Sequence, residues 1–588
     1  MKYRRLLLIF LSLTLCLSLF ACADKGEDNE SVSTDTEEQT EPKDPYLSLY
    51  EGEKGVKVIY SPSASSEVLD IATKLARSLG RMGIATHEAE AAINNDPNTV
   101  EILVDRTGYE ESDAAYADIG YGEGIVSVIG NKVTIAGLDT KSLEKAVDML
   151  LHAVDKHKNT DGGLRIPRDY KEVGISNETV AALPIMDGAT PKAMTGVGDG
   201  GYMLTFDGVN KANVDAYLEK LTADGYSKYV ENIIENNSFY IYIKEQKVLN
   251  VAYLENREEA RIIIEPKTNA PLDLMIKDES YVKGDKAVTL TQLGLAYASD
   301  SQIAEYYTSG MSYIMRLDDG SFIVIDGGYD KQGDADRLYE TMKLQAGSDN
   351  VTVAAWIFTH AHSDHVEVFP KFAASYSDKV EIERFIYNIP GADQKGTHSD
   401  SSAKLISALD KYYKSVPRIK AHAGQKLYIR SVEVEMLYTL ELSNAALKNY
   451  NNTSLVFRIN AEGKQIMITG DYSESSPTLL ALYTEKTLKS DIMQVAHHGI
   501  SDGNLKLNST IAPEYALWPV VALQLKTYWN SNPTSIDLTG YLFNQYFINM
   551  DDDHVFVAGD DVVVMTLAGD ITATVYDNFD NYVANTPN

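Results

Sequence analysis

The chain has 588 residues, 44% of them hydrophobic, and a formal net charge of −32. That length exceeds one ordinary domain and predicts about three or four. A chain this acidic repels polyanions at long range, which excludes a role as a general nucleic-acid coat.

The amino end reads as a targeting segment. Lys2, Arg4 and Arg5 precede the apolar run Leu6 to Phe20, which is short for a membrane span and has no stop-transfer flank. The run closes in Leu19-Phe20-Ala21-Cys22, which resembles a bacterial lipobox. The resemblance implies a signal peptide over 1–21, lipidation of Cys22, and anchoring to the outer face of the cytoplasmic membrane, with plain secretion as the alternative. Cys16 and Cys22 are the only cysteines. The processed body therefore has no other thiol, and any metal site in it must use nitrogen and oxygen ligands. Residues 22–44 are rich in Asp, Glu, Ser and Thr and read as a disordered acidic linker.

A first small α+β domain is expected over 45–182. Val56 to Tyr60 alternates like a strand, and Val68, Ile71, Leu75, Leu79 and Met82 recur at helical spacing before Gly83. Val100 to Val104 reads as a strand. Ile125 to Ile129 and Val133 to Ala136 read as a hairpin around Gly130-Asn131, and Leu143 to Val154 as a second helix. His87, His152 and His157 show no ligand spacing and read as surface residues. The β-α-β-β-β-α order resembles the accessory domain that precedes the barrel in several glycoside hydrolase families. That resemblance implies contact with glycan or a neighbouring domain; a spacer is the plainer reading.

Residues 183–200 carry Pro184, Gly188, Pro191, Gly196 and Gly198 and read as a linker. A second small α+β domain is expected over 201–287. Val214, Leu218 and Leu221 mark a helix, Phe239 to Ile243 and Val248 to Leu254 a hairpin, and Arg261 to Ile264 a further strand. Its alternating tyrosines suit a core face better than an open groove.

The richest stretch is Thr359-His360-Ala361-His362-Ser363-Asp364-His365, which follows the buried-strand run Val351 to Phe358. Three imidazoles and a carboxylate within six residues suit zinc or a related ion where no thiol is available. His360 and His362 can converge on one ion, while Asp364 and His365 turn toward a second. His-x-His-x-Asp-His after a strand resembles the metal signature of the metallo-β-lactamase-fold hydrolases.

Over 288–588 the order of motifs keeps to that resemblance. Tyr313 to Leu317 and Phe322 to Ile325 flank Asp318-Asp319-Gly320, a hairpin signal, and Asp326-Gly327-Gly328 ends the second strand. Asn452-Thr453-Ser454-Leu455, Gly470-Asp471 and His497-His498-Gly499 follow. Together they look most like the hydrolase domain of competence-type DNA-uptake channels and like phosphorylcholine esterases of bacterial surfaces. The fold class implied is α/β, a C-terminal αββα sandwich preceded by two small α+β domains.

The resemblance also implies a ligand set of His360, His362, Asp364, His365, Asp471 and one of His497 and His498. Asp471 would bridge two divalent ions, zinc first, with manganese or iron also suited to the donors. Asp326, Asn452 and Ser454 would stand behind the ligands and fix them. Asp364 and His498 are the catalytic candidates. The histidine that many two-zinc members carry between the first motif and Asp471 is not evident, since His398 and His422 both lack a strand-end context. After His365 the chain has Val366-Glu367 where the family often shows glycines. His554, after three aspartates, is an outlying candidate.

The implied activity is metal-dependent hydrolysis by a bridging hydroxide, with a phosphodiester as first choice of substrate. Alternatives are a carbon ester, lactone or amide, or a surface lipoprotein that only binds glycan. The expected partners are the membrane, through the lipid anchor, and a small-molecule or cell-envelope substrate.

Overall fold

The structure is a computed structural model that describes residues 44–51, 54–295, 310–329, 333–390, 401–443, 450–473, 478–500, 503–520, 542–559 and 561–586. The signal segment, Cys22 and the acidic linker to residue 43 lie outside the described residues, as does His398. The chain divides after Pro45, and every element below belongs to the unit Tyr46–Asn588. No helix among the described residues is long and apolar enough to cross a membrane.

The first sheet is built where β-branched runs demanded it. Its six strands run, in spatial order, Lys171–Ile175, Glu123–Ile129, Lys132–Gly137, Glu101–Val104, Lys57–Tyr60 and Ala89–Ala91. Helices Ser66–Met82 and Thr140–Lys156 cover one face with Val68, Ile71, Leu75, Leu79, Leu143, Leu150 and Val154. Each starts at a side-chain cap, Ser65 or Asp139, which accepts an otherwise unpaired amide of the first turn. A short helix, Glu110–Ala117, was not expected, because its first turn is acidic and it has no apolar stripe. His87 is buried rather than at the surface, with Nδ1 3.0 Å from the Val56 carbonyl.

The second sheet is antiparallel, in the order Ala193–Gly198, Gly201–Asp207, Glu259–Pro266, Lys247–Leu254, Asn237–Lys244 and Ser227–Ile234. Its first strand falls inside the span read as a linker. Gly196 and Gly198 flank a bulge in that edge strand rather than forming a free connection. Helix Lys211–Ala223 lies against one face, where Tyr240 and Tyr242 are each only 4% exposed. The tyrosines are therefore core. Ile241 and Val248 face the other way, into the core of the C-terminal sandwich.

That sandwich has a nine-stranded and a seven-stranded sheet. Ile323, Ile325, Ala355 and Ile357 of the first meet Val434, Phe457, Ile466 and Ile468 of the second. Helices Asp334–Ala346, Val368–Tyr376 and Ser402–Tyr412 pack outside the first sheet around Trp356, Phe358, Phe369 and Phe385. Shorter helices, Thr478–Leu482 and Leu505–Ile511, pack outside the second. Strands Phe322–Asp326 and Val351–Ile357 run parallel, as do Lys464–Ile468 and Ile492–Gln494. Their carboxyl ends meet along one rim of the sandwich, and ligand sites in layered α/β folds form at such ends.

Candidate metal centre

Each of those four strands delivers one part of the site. Val351–Ile357 is followed by His360, His362, Asp364 and His365, Lys464–Ile468 by Asp471, Ile492–Gln494 by His497 and His498, and Phe322–Asp326 ends in Asp326 itself.

Two groups of donor atoms result. Asp364, His365, Asp471 and His498 form one, and His360, His362 and Asp471 the other. In the first, His498 Nε2 lies 3.1 Å from Asp364 Oδ2 and 3.4 Å from Asp471 Oδ1, and His365 Nε2 lies 3.2 Å from Asp471 Oδ1. In the second, His360 Nε2 lies 3.7 Å from Asp471 Oδ2 and 3.1 Å from His362 Nδ1. An ion with tetrahedral bonds of about 2.0–2.2 Å separates its ligand atoms by roughly 3.3–3.6 Å. The spacings fit.

The unmet polar atoms point the same way. His365 Nε2, His498 Nε2 and Asp471 Oδ1 are buried and make no well-formed hydrogen bond. Buried polar atoms left unpaired are costly, so three converging on one point call for a cation. The opposite ring nitrogens are already engaged. His365 Nδ1 donates to Asp326 Oδ2 at 2.7 Å, and His498 Nδ1 donates to the Pro519 carbonyl at 2.8 Å. Both bonds fix the tautomer that leaves a lone pair on Nε2.

The electrostatics divide the histidines. Burial, and then the neighbouring His365, press His360 well below the ordinary imidazole range. Burial also lowers His362. Both are neutral and able to ligate. Burial lowers His365 and His498 too, but the carboxylates outweigh it. Asp471, Asp364 and Asp326 hold His365 well above its usual value, and Asp471 and Asp364 raise His498 to about 9. The two carboxylates thus demand positive charge at the place the geometry reserves for a cation.

Asp326 does not belong to either donor group. It accepts from the Thr359 amide and hydroxyl, each at 2.7 Å, as well as from His365. Ser454 Oγ accepts from the Asp471 amide at 3.0 Å. Asn452 stands further back, where it accepts from Ser473 and Tyr438. Its neighbour Asn451 is the one that reaches a histidine, with Nδ2 2.9 Å from His497 Nε2. Nothing in the spacing pointed to Asn451, because the contact joins residues 46 apart in the chain. His497 Nε2 is 3.9 Å from Asp471 Oδ2 and its side chain keeps 16% exposure, against 2% for His498.

His422 is not at the centre. It is buried between Glu265 and Glu441, at 3.1 and 3.3 Å. His554 sits against the Tyr515 ring in a separate, more exposed group with Asp551 and Asp553. Glu367, in place of a glycine, accepts from Ser401 Oγ at 2.7 Å and so ties the start of helix Ser402–Tyr412 to the rim.

The profile of the metallo-beta-lactamase superfamily matches residues 307–513, the segment that holds all of these ligands. This segment is a metallo-β-lactamase domain. Such a domain implies divalent metal binding and points to a metal-dependent hydrolase. Among solved structures, similarity at 12% identity extends to a CmlA beta-hydroxylase mutant over 39% of this chain and 45% of that one, TM-score 0.24. It extends at 12% identity to a beta-lactamase domain protein from Burkholderia ambifaria over 37% and 67%, TM-score 0.21. A GH138 enzyme targeting pectin rhamnogalacturonan II matches at 12% identity over 20% of this chain and 15% of that one, TM-score 0.14. The chain thus spans under half the length of the first and third of these proteins. No curated protein matches the chain.

Proposed function

We propose that the metallo-β-lactamase domain is a dinuclear hydrolase that cleaves a phosphodiester outside the cytoplasmic membrane, to which Cys22 anchors it. One observation carries the dinuclear reading. The two oxygens of Asp471 face different histidines, Oδ1 toward His365 and His498 and Oδ2 toward His360 and His497. A carboxylate shared in this way can hold two cations close together.

Divalent ions held by these residues would acidify water and polarise the attacked group. The chain supplies the rest. Asp364, with its side chain 15% exposed beside His498, is placed to orient the attacking water and receive its proton. His497, more exposed and steered by Asn451, whose Nδ2 donates to Nε2, would contact the substrate or its leaving group. Asp326 and Thr359 keep His365 in position. The phosphodiester rests on the resemblance of Asn452 to Leu455, Gly470-Asp471 and His497 to Gly499 to the motifs of competence-type hydrolase domains and phosphorylcholine esterases; the anchor rests on the lipobox resemblance of Leu19 to Cys22.

The test is metal content together with hydrolysis by the purified soluble unit. Near two ions per chain and turnover of a chromogenic phosphodiester are expected. Turnover of lactones or β-lactams alone would replace the substrate class and keep the centre. Protein that stays metal-free after growth in supplemented medium would remove the mechanism. Cys22→Ser should leave the protein unprocessed or release it to the medium; unchanged maturation and membrane retention would refute the anchor.

A further inference from the structure

The turn that carries the paired histidines is unusual in its backbone. His497, His498 and Gly499 all take positive φ, at 47°, 53° and 67°. A Cβ disfavours that region, so two histidines in succession stay there only if their surroundings hold them.

The holding groups come from other elements. Trp518 closes strand Tyr515–Trp518 and donates from Nε1 to the His498 carbonyl at 2.8 Å. Asn544 donates from Nδ2 to the Gly499 carbonyl at 2.8 Å. Both side chains are buried. A Cβ on Gly499 would come within 2.7 Å of the Trp518 ring, so the glycine and the indole are fitted to one another. Asn544 is itself kept in place from behind. Asn508 Nδ2 donates to the carbonyl of the adjacent Phe543 at 2.9 Å, and Phe547 meets the Trp518 ring edge-on at 5.8 Å. The carbonyl that receives His498 Nδ1 belongs to Pro519, the residue after Trp518. One short segment therefore grips both the backbone and the ring of His498.

We infer that Trp518 and Asn544 are positioning residues of the metal centre, clamping the left-handed turn so that His498 Nε2 points at Asp364 and Asp471. The inference rests on the metal-centre reading above. Neither residue is itself a donor, and each acts through the carbonyl it caps. A purely structural role would look different. The two side chains would then add stability, and the turn would keep its shape without them.

The experiment uses the full chain and cobalt as the probe, with zinc competition for affinity, the visible cobalt spectrum and thermal unfolding read side by side. Trp518→Phe keeps the ring and removes the donor. Gly499→Ala drives a methyl group at the indole and strains the turn. Leu221→Ala, in the helix of the second sheet, supplies loss of stability remote from the site. Trp518→Phe, Gly499→Ala and Asn544→Leu are expected to weaken metal affinity by roughly 10- to 100-fold and to change the cobalt spectrum. Leu221→Ala should lower the unfolding temperature and leave affinity and spectrum alone. If the unsubstituted chain binds cobalt and the three variants keep its affinity and spectrum, the clamp is overturned and the centre stands. An equal loss of affinity in Leu221→Ala overturns the clamp as well. If the unsubstituted chain binds no metal, the centre falls and the clamp with it.

Discussion

Asp471 is the residue on which the two donor groups depend, because each uses a different one of its oxygens. Asp471→Ala should lose metal and turnover together, since the remaining ligands cannot hold two cations close without a shared anion. Metal analysis beside turnover checks this, and full occupancy with near-normal turnover would remove the bridging role. Asp326→Ala leaves both donor groups intact but frees His365 Nδ1 and the Thr359 hydroxyl. The expected cost is on the order of 10- to 100-fold in metal affinity or activity. Asn451→Ala should act differently again. It releases the His497 ring, which is not in the group formed by Asp364, His365, Asp471 and His498, so metal there should stay while turnover falls. Parallel loss of metal in that variant would make Asn451 a support of the ligands rather than of the substrate contact.

At the scale of elements, the strands that end at the site could be read from the sequence because their signal is local. Val353 to Phe358 and Ile466 to Ile468 are unbroken apolar runs, as buried parallel strands require. The histidines follow at a spacing that packing does not produce. Other elements hid. Ser227–Ile234 is an outer strand with six of its eight residues polar or only half-buried, and Ala193–Gly198 is masked by its glycines. Both join the sheet through a hairpin with the next strand, Ser227–Ile234 with Asn237–Lys244 and Ala193–Gly198 with Gly201–Asp207, and it is Gly201–Asp207 that makes the long-range pairing, with Glu259–Pro266. The tyrosine strand Asn237–Lys244 shows what alternation can and cannot reveal. Its alternation suits one face to a core better than to an open groove; that the opposite face is core as well depends on a sandwich that begins 40 or more residues later, with Thr289–Leu293. The inference about Ile241 can be measured. Ile241→Ala removes a side chain 5% exposed and should cost about 2–5 kcal/mol in denaturant unfolding. A cost near that of a surface substitution would mean the second sheet only rests on the sandwich.

For the whole molecule, His422 couples the second sheet to the sandwich. Glu265 comes from the sheet and Glu441 from the sandwich, and His422 lies buried between them. Burial alone would lower its pKa, but the two carboxylates raise it to about 9. A histidine held above its unfolded value of about 6.5 adds stability that is fully present below that pH and is lost as pH rises through about 9. The full shift corresponds to at most about 3 kcal/mol. Unfolding followed between pH 6 and pH 9.5 should therefore show a decline in stability that His422→Gln flattens. An unchanged profile in His422→Gln would assign the decline to other groups.

The shared face of the second sheet has a consequence for anyone who would transplant the metallo-β-lactamase half. Ile241 and Val248 are part of the same apolar core as Tyr313, Phe457 and Ile468. Phe239 and Leu254 belong to the core behind the second sheet of the sandwich. A chain begun at Val288 would uncover those contacts and also strip Glu265 from His422. It would bear a large greasy scar ready to stick to itself. Such a fragment should come out of cells as aggregate, whereas one begun at Tyr46 should stay monodisperse in size-exclusion chromatography. The metallo-β-lactamase half is thus no cassette, and shuffling it onto other carriers would require the second sheet to travel with it.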